Sequence, residues 1–406
     1  MESVKKWKSL VEPFLNQGET GKDPIAAVFK ERRKSWSLFT PLMGDDEIEA
    51  LRDYIMPYQS KGLPEKDSDQ PVKVCNFING QWKDASGGKR ATMNTLWDKR
   101  VPLCDLPDSD EKDVNEAVAA AKEYWQSLDW ADEGGAYRKW VMQNFSRMLN
   151  YFQRELKDQI RHCIPKTEAE ANKDFWEAKR CVDHISGNYE KAMLGEEIPP
   201  MVPGMNFWKN QQVPAGVSAV ITPMNFIYGI PVIQLVGVYM SGSPFIYKGH
   251  PFGGICNTSI VRMMLAAGAD PRVIQKIEGF GGRIGSLATH QDVDLVSITG
   301  SEFTAKAIAK DRNVRPLKFE GGGCNWAWLD DDLSDDELKR AADRLTYSWL
   351  CFSTHKCTSL HGVAASSKVL SKLTKMMNEA ANEWMIQNPK DTPETADKVV
   401  GPCMVH

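Results

Sequence analysis

A chain of 406 residues, 42% hydrophobic and 26% charged, has the composition of a folded globular protein, with room for two or three domains of about 150 residues. A net charge of −4 gives no electrostatic footing on nucleic acid or on an anionic membrane surface. Nine cysteines without a CxxC pair or a zinc-like cluster exclude a disulfide framework and point to reduced thiols in an intracellular protein.

Residues 1–74 read as an N-terminal extension and linker. Helical spacing is present over 7–15 and over 47–54, and the polar run 62–71 carries Pro64 and Pro71 near its ends. Lys5, Lys6 and Lys8 precede an apolar run, but Glu2 and Glu12 argue against a leader peptide. From Cys75 the character changes. Two short strands flank Asn79-Gly80, a hairpin turn signal. Asp108, Ser109 and Asp110 precede a helix whose apolar residues Val114, Ala117, Val118, Ala121 and Trp125 recur at three and four. The same period runs through 138–152 and 167–194. His162, Cys163 and His184 fall in this region, too scattered for a ligand set, and no metal is expected.

Between Lys209 and Lys248 no side chain is charged. Pro214, Pro223, Pro231 and Pro244 divide the run, so a continuous membrane helix of about 20 residues does not fit. The pieces read as a strand over 217–221, a helix over 230–240 and a strand over 244–247, buried on both faces as in parallel α/β sheets. Asn225 follows the first strand and Lys248 closes the second, at the strand ends where open α/β sheets bind ligands.

A helix over 257–268 and a strand over 273–277 lead into a glycine-rich turn, Gly279 to Gly285. Such a turn either cradles phosphate on backbone N–H groups or simply joins strand to helix. A strand over 294–298 is followed by Thr299-Gly300-Ser301 and a helix from Glu302. Glu320 stands before three glycines, as a base or as a loop acid. A helix is predicted over 330–344. Cys357 then has His355 and Lys356 within two residues, neighbours that lower a thiol pKa. This fits an activated nucleophile; a Cys/His hydrolase would need a third group that the sequence does not place.

Taken in order, ITPMNF with Asn225, FIYK with Lys248, ITGS with Thr299, FEGGG with Glu320, HKC with Cys357 and a final VGP at Val400 resemble the aldehyde dehydrogenase superfamily from about Cys75 onward. The stretches IPVIQLVGVYM and RPLKFEGGGCNWAWLDDD are most similar to the plant-type Δ1-pyrroline-5-carboxylate (glutamate γ-semialdehyde) dehydrogenases of proline metabolism. The resemblance implies an α/β fold. Residues 75–318 would form a Rossmann-type NAD-binding domain, and 319–406 a partial catalytic domain, truncated at its C-terminal end. It implies NAD, with NADP left open, and a small-molecule aldehyde as substrate. It assigns Cys357 as nucleophile, Asn225 with the Cys357 N–H as oxyanion donors, and Glu320 as activator of the deacylating water. Lys248 would hold the adenine ribose. Gly300 and Ser301 would lie by the nicotinamide and pyrophosphate, with Thr222, Pro223, Gly281 and Gly285 also on the cofactor side. It further implies a homo-oligomer or a subunit of a larger assembly, and a mitochondrial location, or a cytoplasmic one if the N-terminus does not target. Three departures support an alternative reading. Thr354 and His355 replace the usual Gly-Gln before the cysteine, Gly249 follows the ribose lysine in place of Pro, and Cys324 stands where Lys is frequent. With the altered cysteine loop, the truncated end and the N-terminal extension together, the chain would be a catalytically idle homologue kept as a structural or assembly subunit.

Overall fold

The computed structural model describes residues 20–189, 195–198, 208–210, 212–393 and 395–401, with isolated positions 9, 12 and 204. Most of the helix expected over 7–15, the end of that expected over 167–194 and Pro402 lie outside the described residues.

An eight-stranded sheet organises the chain. In spatial order its strands are Gly21–Lys22, Gln81–Lys83, Asn76–Ile78, Ile274–Lys276, Phe245–Lys248, Ser218–Ile221, Leu295–Gly300 and Leu317–Gly321. The last five are parallel. Numbered along the chain, those five lie in the order 3-2-1-4-5, the doubly wound arrangement of dinucleotide-binding sheets. The expected strand–helix–strand is present. Ser218–Ile221 leads into the helix Gly229–Ser241, closed by Gly242 at φ 90°, and returns in Phe245–Lys248. All of Gly254–Ala267, the next helix, is buried. No charge interrupts the central unit because both faces of the sheet are covered.

Three antiparallel strands extend the sheet on its other side. Asn79 and Gly80, at φ 51° and 71°, make the tight turn between two of them. The outermost, Gly21–Lys22, comes from the segment expected to be an extension. That segment also sends Ile25, Met43, Ile48, Leu51, Tyr54, Ile55, Met56 and Tyr58 into the main core. Its buried Asp23 accepts hydrogen bonds from Tyr54 Oη at 2.6 Å and Trp82 Nε1 at 2.7 Å. The boundary at residue 74 therefore marks a change of sequence character and not an edge of packing.

Downstream, Asn325–Trp328 and Leu360–Ala364 pair in parallel, joined through the helix Asp335–Leu350, with Ser367–Ala381 packed alongside. Leu338, Ala342, Val369 and Leu373 form a separate small core there. The helix expected over 330–344 starts later. Ser334 Oγ accepts from the Glu337 N–H and Glu337 bonds back, so the capping box sets the start and Asp330 to Asp332 stay outside it. The helix expected over 47–54 is split at Leu51 into Asp45–Ala50 and Arg52–Ile55. No helix among the described residues is long and apolar enough to cross a membrane.

Candidate active site

Parallel pairing sets the carboxyl ends of the strands side by side. Lys248 is level with Ile221, Ile221 with Ile298, and one residue further Thr299 is level with Glu320 and Gly300 with Gly321. Lys248, Thr222, Pro223, Thr299, Gly300 and Glu320 thus share one edge of the sheet. The order of the strands reverses between Ser218–Ile221 and Leu295–Gly300, and the crevice at such a switch point is where open α/β sheets take ligands. Gln234, from the helix after the first strand, spans it by donating to Thr299 Oγ1 at 2.9 Å.

Lys248 is half-buried and, among the described residues, makes no ion pair. Burial lowers its pKa and the nearby Glu278 charge works against that lowering. Glu278 itself is fully buried and pairs with Lys276 at 2.7 Å. Two residues past Lys248, burial and the lysine charge hold the His250 imidazole down at about 3. Ser301 caps the helix Glu302–Arg312, accepting from the Thr304 N–H at 3.1 Å. An ammonium, hydroxyls and a helix N-terminus around a switch point suit a dinucleotide. The glycine-rich turn is explained differently. Gly279 has φ 143°, and a Cβ at Gly285 would stand 2.8 Å from the Gly281 carbonyl oxygen, while one at Gly281 would meet open space. The backbone therefore demands Gly279 and Gly285 but not Gly281.

The loop before Cys357 has an unusual backbone. Phe352, Ser353 and Thr354 stand at φ 56°, 51° and 66°, three successive left-handed residues without a glycine among them. Tertiary contacts hold them there. The Phe352 N–H donates to the buried Glu170 carboxylate. The Phe352 ring lies 5.0 Å from that of Phe226, and the Lys166 ammonium is 4.5 Å from the latter. Lys166 is fixed by a buried ion pair with Asp174 at 2.7 Å, and Asp174 also accepts the Gly229 N–H. Ser353 Oγ accepts the Gly401 N–H at 2.8 Å. Two asparagine amides then grip the chain on either side of the half-buried Cys357. Asn225 Nδ2 donates to His355 O at 3.1 Å, and Asn325 Nδ2 donates to both Cys357 O and Ser359 O at 2.9 Å.

The structure thus brings Asn225 onto the loop that carries Cys357, through His355 O. An asparagine amide has two hydrogens, so holding His355 O leaves one for an oxyanion. Glu320 lies on the outermost, exposed strand, and among the described residues no hydrogen bond or ion pair links it to Cys357 or Asn225. The sequence reading missed Asn325, Glu170 and Gln234. Only Glu170 carries a local signal, as the third helical residue after the Thr167 cap, and that signal predicts its bond to Thr167 alone.

The model of the Aldehyde dehydrogenase family matches residues 82–405. The chain is 25% identical over 342 residues to aldehyde dehydrogenase [NAD(P)+] 2 of Saccharomyces cerevisiae, covering 82% of this chain and 65% of that protein. To malonate-semialdehyde dehydrogenase 1 of Geobacillus kaustophilus it is 27% identical over 321 residues, covering 78% and 63%. It thus spans about 65% of the length of such curated relatives. Among solved structures, a point mutant of betaine aldehyde dehydrogenase from Staphylococcus aureus in complex with NAD+ superposes with a TM-score of 0.74 at 21% identity, over 82% of this chain and 67% of that one. That likeness shows the fold.

Proposed function

We propose, from the premise that this chain belongs to the aldehyde dehydrogenase family, that it oxidises an aldehyde to the carboxylate with NAD or NADP, through Cys357. The hydrogen bond from Asn225 Nδ2 to His355 O carries this reading, because it joins the end of the first parallel strand to the nucleophile loop. Cys357 Sγ attacks the aldehyde carbon and forms a thiohemiacetal. The second Asn225 amide hydrogen and the Cys357 N–H stabilise the oxyanion, a donor of this kind contributing about 3 kcal/mol. NAD(P), when bound, accepts the hydride. Lys248, Thr299 and Ser301 would hold it at the switch point, with Thr222, Pro223 and Gly300 beside them. Glu320, at the open edge of the sheet, takes a proton from the water that releases the acid.

For the substrate we propose glutamate γ-semialdehyde, on the similarity of the two stretches around 230–240 and 315–332 to Δ1-pyrroline-5-carboxylate dehydrogenases. The family assignment supports aldehyde oxidation in general, and two of the relatives named above carry other aldehydes in their names, malonate semialdehyde and betaine aldehyde. A mitochondrial setting and assembly with further subunits belong to the same proposal.

The test is reduced-cofactor formation, followed by absorbance, with purified protein, NAD or NADP and a panel of aldehydes. Turnover is expected, with Cys357→Ala removing it and Asn225→Ala lowering kcat about 10²–10³-fold. Absence of reduced cofactor with every aldehyde and both dinucleotides would reject oxidation in favour of a chain that keeps the fold without the chemistry.

A further inference from the structure

Lys166 is 2% exposed and stands just before Thr167, the cap of the helix Glu168–Gly187. Among the described residues its ammonium has one oxygen partner, the fully buried carboxylate of Asp174 at 2.7 Å. Two rings lie close to it. The centre of Phe226 is 4.5 Å away and that of Phe352 is 5.5 Å away, both within the range of a cation–π contact. Phe226 follows Asn225, and Phe352 is the first left-handed residue of the loop that leads to Cys357. One nitrogen thus touches both segments that meet in the hydrogen bond from Asn225 to His355 O. Its counter-ion repeats the pattern, because Asp174 accepts the Gly229 N–H at 2.6 Å, at the start of the helix that follows Asn225. The backbone under the lysine is held as well, with Arg161 Nε donating to Lys166 O at 3.3 Å.

Stability is a poor reason for this arrangement. Withdrawing an ammonium and a carboxylate from water costs about as much as their attraction returns, and neutral side chains of similar volume are frequently no less stable. The rings need no charge in order to pack. They lie 5.0 Å apart in a small core with Cys351 and Trp384. What the buried cation adds is geometry. Apolar neighbours slide past one another at little cost, whereas cation–π attraction is lost once a ring leaves a shell of about 6 Å. We propose that Lys166 is a positioning residue for the oxidation at Cys357. Its ammonium fixes the spacing of the Phe226 and Phe352 rings, and with it the register in which the second Asn225 amide hydrogen reaches the oxyanion. The inference rests on that reaction and adds the group that aligns it. Misplacing a reacting group by about 1 Å costs on the order of 10²-fold in rate.

Lys166→Met with Asp174→Asn replaces the ion pair by neutral side chains of similar size and keeps an acceptor for the Gly229 N–H. This variant should melt cooperatively near the parent temperature, with kcat and kcat/KM lowered together by about tenfold or more, the mark of an interaction made in the transition state. Lys166→Arg keeps a charge beside the rings and should recover most of the loss. Lys179→Met with Asp183→Asn neutralises another ion pair of the same helix and should leave kcat unchanged. Alkylation by iodoacetamide, located by mass spectrometry of the digested protein, reads the loop without turnover. Cys357 should react about tenfold faster in the Lys166/Asp174 variant, and the exposed Cys324 at the parent rate. Should that variant fail to fold, Phe352→Leu, which takes one ring from the ammonium, carries the same expectations. A folded variant with parental kcat and parental alkylation of Cys357 overturns the proposal. A loss of kcat that is as large in Lys166→Arg, or in the Lys179/Asp183 control, overturns it too. No turnover by the parent chain with any aldehyde rejects the oxidation reading alone, and the alkylation rates then decide whether Lys166 sets the loop.

Discussion

Thr354 occupies a backbone position that suits glycine. At φ 66° its β-branched side chain meets the sterics that make left-handed backbone cost about 1–2 kcal/mol for an L-residue. Strain of this kind collects at functional loops and is sustained by surrounding contacts, here those of Glu170, Gly401 and Asn225. Thr354→Gly is expected to raise unfolding stability by about 0.5–1 kcal/mol in urea titrations; a loss of stability would show that the side chain contributes more than the backbone costs. His250 makes the second prediction at this scale. Its folded pKa of about 3 lies below the ordinary 6.5, through burial first and the Lys248 charge second. The unfolded chain therefore takes up the proton first as pH falls. The stability supplied by the neutral ring is complete above about pH 6.5 and drains as pH falls toward 3, in total on the order of 5 kcal/mol. His250→Asn keeps an acceptor for the Phe252 N–H, which His250 Nδ1 now holds at 3.3 Å, and removes the titration. Urea unfolding at about pH 7 and about pH 4.5 should show a flatter acid limb in the variant; parallel limbs would contradict the assignment.

Among the elements, the strand Asn325–Trp328 does more than pair with Leu360–Ala364. Its first residue puts one amide nitrogen on two carbonyls of the cysteine segment, at residues 357 and 359. Each such bond is worth about 1 kcal/mol net. Asn325→Ala is thus expected to cost about 2 kcal/mol and to speed alkylation of Cys357 by iodoacetamide, since the loop opens more often. Unchanged alkylation would mean that the loop is held from its other side, by Asn225. Other elements were legible in sequence for a local reason. The helix after Asp110, that after Thr167 and that after Ser301 each begin at a side chain that bonds the first turn. The start at Ser334 was mislaid because the acids at 330–332 resemble a first turn, and the capping box behind them outcompetes them.

At the scale of the molecule, the parallel strands alone do not make the domain. The antiparallel strands beside them are closed by Gly21–Lys22, and the segment from Ile25 to Tyr58 buries its apolar residues in the main core. At about 1.5–3 kcal/mol for each large side chain, their burial is comparable in size to the 5–15 kcal/mol by which whole proteins are stable. Deleting residues 1–61 is expected to abolish cooperative thermal unfolding by circular dichroism; a deletion variant with an unchanged melt would restore the view of this segment as an appendage. By itself the sequence determined the central strand–helix–strand, its turn chemistry and the residues at its polar ends, because charge-free runs, prolines and caps act over a few residues. Only the tertiary structure decided which distant groups grip the Cys357 loop, that Glu320 stands on an open edge, and that Lys166 meets the rings of Phe226 and Phe352 together. Those outcomes depend on strand order and on contacts between residues far apart in the chain, such as Glu170 with Phe352, 182 positions apart, for which no local pattern exists.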